Sequence, residues 1–145
     1  MPNKLTVLLD EAGLVSTLDW YIPTVERQTG LVLHYEKSGD TYPVGASAGV
    51  QIYRVLQEAL NNVTRHSGAK EGWIRLHFEP SALILEVEDH GEGFRPVEGQ
   101  TGIGLVAMRE RAEILGGFLK VSPFPAGGTL VHLQVPREQV EPHAE

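Results

Sequence analysis

Residues Ser47 to His66 read SAGVQIYRVLQEALNNVTRH, and the pattern of this stretch decides the fold. Ile52, Val55, Leu56, Ala59, Leu60 and Val63 recur at i, i+3, i+4, i+7, i+8 and i+11, one apolar stripe of helical period. Gly68 ends the helix. Such a stripe must be laid on something, and the flanking segments supply a sheet. Trp73 to Phe78 alternates, with Ile74, Leu76 and Phe78 on one face. Ala82 to Glu88 does the same with Leu83, Leu85 and Val87. Glu79-Pro80-Ser81 is a hairpin turn between them. Upstream, Gly13 to Arg27 is a helix with Leu14, Leu18, Tyr21, Ile22 and Val25 on one face, and Pro23 predicts a kink or break in it. Leu31 to Lys37 follows as a strand. Downstream, beyond the glycine-rich stretch Asp89 to Gly104, Leu105, Met108, Ala112 and Leu115 mark the inner side of a helix that Gly116-Gly117 stops. Phe118 to Ser122 and Leu130 to Val135 form a closing hairpin. Helices grouped on one face of such strands give an α/β (α+β) two-layer sandwich. Its sheet is mixed and mostly antiparallel, covered on one face by about three helices. A single domain is expected over residues 1–136, with residues 137–145 a loose polar tail.

Composition narrows the classes of function. The 145 residues carry a net charge of −7, which repels nucleic-acid phosphates and argues against a nucleic-acid partner. A bound nucleotide would need backbone amides, a metal and a few placed side chains, because no general positive field is present. There are no cysteines, hence no disulfide framework and no thiolate metal site. No apolar run reaches the length of a membrane helix, and Met1-Pro2-Asn3-Lys4 does not open a signal peptide. A cytoplasmic chain, or the cytoplasmic part of a membrane-bound protein, without direct membrane contact is expected.

Four segments carry chemistry. In Gln57 to His66, Glu58, Asn62 and His66 lie four apart and form a polar stripe along the edge of the apolar face. Asn61 points almost opposite that face, to water. An Asn carbonyl oxygen suits Mg²⁺ and a Glu can act as a base, although a solvated helix edge has the same pattern. In Asp89-His90-Gly91-Glu92-Gly93-Phe94, Asp89 shares the parity of Leu83, Leu85 and Val87 and so points inward. A buried carboxylate needs a donor. An adenine amino group is one, whereas guanine presents an oxygen at the same place. The plainer reading is a turn capped by Asp. Thr101-Gly102-Ile103-Gly104-Leu105 opens a helix with exposed amides, a setting for phosphate. Gly102, Gly104 and Ala107 fit a dinucleotide fingerprint, but no strand leads into them, and a P-loop is absent. Thr129, after Gly128, shares parity with Val131, Leu133 and Val135 and also points inward, as any β-branched strand residue can.

Taken in this order, the four segments resemble the four conserved boxes of the GHKL superfamily of ATP-binding domains, which includes histidine kinases, DNA gyrase and MutL. Tyr53 to Asn62 (YRVLQEALNN) and Gly104 to Gly117 (GLVAMRERAEILGG) look like one branch, the sensor kinases whose response regulators carry helix-turn-helix outputs. The resemblance spans about residues 10 to 136. It implies that Asn62 coordinates a Mg²⁺ bridging the ATP phosphates and that Glu58 activates or orients the phosphate acceptor. It assigns the adenine amino group to Asp89, the base pocket to Gly91, Gly93 and Thr129, and the lid hinge and phosphate contacts to Gly102 and Gly104. Leu105 and His66 complete the expected cofactor-binding set, with a buried structural histidine the equal alternative for His66.

Two departures from the family pattern stand out. The lid between Gly93 and Gly102 is short and offers one cation, Arg95. None of His34, His66, His77, His90, His132 and His143 is followed by an acidic residue, as the family's acceptor box requires. The expectation is therefore the catalytic half of a histidine kinase, whose partners are a histidine-bearing dimerisation domain and a response regulator. A serine kinase or ATPase of the anti-sigma type and a non-catalytic docking module remain alternatives.

Overall fold

A computed structural model describes residues 13–66, 69–91, 103–125 and 127–142. The elements are α1 (Gly13–Thr29), β1 (Val32–Gly39), α2 (Ala46–His66), β2 (Glu71–Phe78), β3 (Ala82–Asp89), α3 (Ile103–Ile114), β4 (Phe118–Pro123), β5 (Thr129–Pro136) and α4 (Arg137–Val140). The strands form one five-stranded sheet in the order β1-β2-β3-β5-β4. β1 and β2 run parallel, because α2 carries the chain back between them. The remaining pairs are antiparallel.

The inward residues are those the alternation marks. Ile74, Leu76, Leu83, Leu85, Val87, Leu133 and Val135 are all buried beneath the helices, as are Ile52, Val55, Leu56, Ala59, Leu60 and Val63 from α2. Each fully buried Leu or Ile contributes roughly 1.5–3 kcal/mol. α2 is the central helix. Tyr21 of α1 meets Tyr53 with ring centroids 4.8 Å apart, and Arg111 of α3 donates to Gln51 at 2.8 Å. This flanking corrects one expectation: Asn61 is half-buried rather than open to water, because neighbours on both sides leave α2 only a narrow outer strip.

Three further expectations need adjustment. α1 is not broken at Pro23. Proline removes the bond to the carbonyl of Asp19, and both residues lie on the exposed side of the helix, where solvent can satisfy the freed oxygen. β1 starts and ends later than its apolar residues suggest, closing at Gly39 with φ +85°. Finally, residues 137–140 are not loose. They form α4, in which Val140 is completely buried, its carbonyl accepts from the Gly45 amide at 2.7 Å, and the Arg137 guanidinium lies 4.0 Å over the Tyr42 ring. One apolar side chain in a polar stretch thus anchors the segment.

Candidate functional site

The polar residues singled out above converge at one end of the sheet. Asp89 ends β3 and Thr129 begins β5, and the two are direct register partners. Both are 5% exposed. With Asn62 they are the polar members of a pocket between α2, α3 and the sheet, whose other walls are Ala59, Leu105, Met108, Val121 and Val131. Apolar walls with a few convergent polar groups are the usual make-up of a small-molecule site.

Asp89 accepts a hydrogen bond from the Gly91 amide at 3.0 Å, through Oδ1. Burial pushes its pKa above the ordinary aspartate value. The Gly91 amide and His90 counter the rise in part, and Glu88 adds to it. A carboxylate in this state gains from any ligand that donates a hydrogen bond to it.

Glycines bring the backbone of the neighbouring hairpin close. Gly128 has φ +108°, and a Cβ there would fall 2.2 Å from the Asp89 carbonyl oxygen; one on Gly127 would fall 2.9 Å from that of Gly91. The pair Gly127-Gly128 is therefore what lets β5 deliver Thr129 beside Asp89. Sequence reading missed this role, although a glycine dipeptide directly before an inward-facing Thr was the available signal.

Glu58 lies on the half-buried edge of α2, against the start of α3. A Cβ on Gly104 would come within 2.0 Å of its Oε1. The carboxylate thus sits at the positive end of the α3 dipole, a favourable place for negative charge. Leu105, next along α3, enters the pocket itself. Of the expected set, Asn62, Asp89, Leu105 and Thr129 are brought together, Gly91 supports Asp89, and Glu58 and Gly104 meet beside them. Gly93, Gly102, Arg95 and the His66 side chain lie outside the described residues.

Solved structures share the architecture. The ATP binding domain of PrrB from Mycobacterium tuberculosis superposes with a TM-score of 0.63 at 20% identity, covering 94% of this chain and 96% of that one. The histidine kinase domain of a blue-light activated histidine kinase from Erythrobacter litoralis gives 0.70 at 22% identity, covering 88% and 66%. In fold the chain matches the architecture of these two domains. The family model for histidine kinase-, DNA gyrase B- and HSP90-like ATPases matches residues 48–139, and the chain belongs to that family. Its relatives include the sensor histidine kinase MctS of Rhizobium johnstonii, 35% identical over 127 residues, with 85% of this chain and 28% of the relative covered. The signal transduction histidine-protein kinase/phosphatase DegS of Brevibacillus brevis is 30% identical over 129 residues, covering 88% and 33%. The chain thus spans about a third or less of the length of these relatives. No helix among the described residues is long and apolar enough to cross a membrane.

Proposed function

We propose that this chain is the ATP-binding catalytic domain of a two-component sensor histidine kinase, working in the cytoplasm or as the cytoplasmic part of a membrane-bound sensor. In this reading it transfers the γ-phosphate of ATP to a histidine on a dimerisation domain, from which a response regulator receives it. The supporting observation is the convergence of Asn62, Asp89 and Thr129 on one otherwise apolar pocket beside the N-terminus of α3. The free carboxylate oxygen of Asp89 accepts from the adenine amino group, and Thr129 completes the base site. Gly91 and Gly93 shape it, and Leu105 packs on the ring. Gly104 and the α3 amides face the phosphates, and the family resemblance assigns Gly102 and His66 to the same contacts.

The residues present fit a Mg²⁺ ion held mainly by its ligand. Asn62 offers a neutral oxygen, and no group of three His, Cys, Asp or Glu among the described residues is arranged to hold an ion alone. Phosphate oxygens and water would then complete the shell, the usual habit of Mg²⁺. The ion supplies charge neutralisation on the phosphates. Glu58 does the proton chemistry: its carboxylate orients the acceptor imidazole and takes the proton that the attacking nitrogen gives up. A P–N bond forms as the bond from the γ-phosphorus to the bridging oxygen breaks, and ADP leaves.

Calorimetric titration with Mg-ATP, Mg-ADP and Mg-GTP tests the reading. Binding of the adenine nucleotides alone is expected; equal binding of GTP or no binding would overturn the base-site assignment. Phosphoryl transfer should appear only when a histidine-bearing helical domain is supplied. Glu58→Gln separates the proton chemistry from the fold. Glutamine keeps the size of the side chain but cannot take the proton. The melting temperature should hold while transfer to the supplied domain, followed with labelled ATP, falls by about a hundredfold. Unchanged transfer would remove Glu58 from the mechanism.

A further inference from the structure

On the sheet face opposite the helices, four rings run in a row across the end that carries the site. His34 stacks on Trp73 with centroids 5.3 Å apart, Trp73 meets His90 edge-on at 4.8 Å, and His90 stacks on Phe124 at 5.6 Å with the planes 8° from parallel. His90 is the pivot of this row. Its ring also hydrogen-bonds Glu88 at 2.7 Å, and Glu88 is itself held by Arg75 at 2.7 Å.

His90 follows Asp89 directly. Successive strand residues point to opposite faces, so the ring lies outside while the carboxylate lies in the pocket. Phe124 belongs to the β4–β5 turn, where its amide donates to the Gly128 carbonyl and its carbonyl accepts from the Gly127 amide, both at 3.0 Å. The ring stack therefore joins the same two segments that Gly127 and Gly128 bring into backbone contact with Asp89 and Gly91. One segment carries Asp89 and the other leads into Thr129.

We propose that His90 is a positioning residue for the nucleotide site: by stacking on Phe124 from the outer face it latches the Asp89–Gly91 turn to the β4–β5 hairpin and fixes the spacing of Asp89 and Thr129. Its nucleotide consequence rests on the base-site reading above; the latch itself does not. A stacked pair on its own sets the scale of the effect, about five- to tenfold in an equilibrium constant. Phe keeps the stack and loses the Glu88 bond, whereas Ala loses both.

Amide exchange measured by NMR on the full chain, together with calorimetric ATP titration, tests this. In His90→Ala, the Gly91 amide is expected to exchange about tenfold faster and ATP to bind about five- to tenfold more weakly. In His90→Phe both should return to within about twofold of the unchanged protein. Unchanged Gly91 exchange in His90→Ala overturns the latch, and failure of His90→Phe to restore it overturns the stacking basis. Faster exchange with full ATP affinity overturns the positioning role. If the unchanged protein binds no adenine nucleotide, the base-site reading fails by itself, and the exchange rates still decide whether His90 holds the turn.

Discussion

Asp89→Asn is expected to lower ATP affinity by about a hundredfold while leaving the fold intact. One carboxylate oxygen takes the Gly91 amide at 3.0 Å, which leaves the other for a donor in the pocket. Asparagine keeps a single oxygen. With that oxygen on Gly91, its amino group faces the pocket and meets the adenine amino group donor to donor. Calorimetry measures the loss, and retention of full affinity would mean that Asp89 does not read the base. The same variant should be more stable than the parent at neutral pH. Burial raises the Asp89 pKa above the ordinary value of 3.8. The folded state therefore binds the proton more tightly than the unfolded chain, and the associated stability is present below 3.8 and lost as pH rises through the folded value. Asparagine, uncharged at every pH, avoids that loss. Its advantage in melting temperature should be largest at neutral pH and close as pH falls toward 3.8. A melting-temperature gap that does not change with pH would contradict the burial argument. A site that destabilises its own domain until a donor arrives is a common form of the trade between stability and function.

Gly128→Ala is expected to cost about 3 kcal/mol or more, a large share of the 5–15 kcal/mol that holds a domain of this size. Two penalties add. The φ of +108° is disfavoured for any L side chain, and the new methyl would lie 2.2 Å from the Asp89 carbonyl oxygen and 2.9 Å from the His90 Cα. Both obstacles are backbone and cannot turn aside. Gly30→Ala is the matched control: φ is +78° there, but a Cβ would meet nothing within 4 Å. It should cost only about 1–2 kcal/mol. Urea denaturation of the two variants separates strain from collision. Equal losses would show that the close approach of the β5 hairpin to Asp89 is softer than its geometry implies.

Much of the fold was legible because alternation is a direct physical record of burial. Ile74, Leu76 and Phe78 on β2, and Leu83, Leu85 and Val87 on β3, announce the inner face, and the same count carried to Asp89 and Thr129 located the polar pair in the pocket. Parity says which way a residue points but not which strand lies beside it. The parallel β1–β2 pairing, set by the α2 crossover, had no local signal. Neither did α4, where a single buried Val140 outweighs its charged neighbours. The persistence of α1 through Pro23 depended on which side of the helix the freed carbonyl faced, a fact of tertiary structure. The ring row from His34 to Phe124 was invisible for the same reason: its members are far apart in the chain and meet only when the strands are laid side by side.

The pairing of Asp89 with Thr129 across β3 and β5 has an evolutionary consequence. A side-chain period of two means that gaining or losing one residue within either strand turns every later side chain to the opposite face. Such a change early in β3 would move the Asp89 carboxylate out of the pocket and put Glu86 into the core in one step, and one early in β5 would turn Leu133 and Val135 out of it. Descendants of this chain can therefore drift in side-chain identity along these strands but not in their length. Insertions and deletions should be tolerated only in the connections, which makes the distance from Ala82 to Asp89, and from Thr129 to Pro136, a fixed ruler in an otherwise variable sequence.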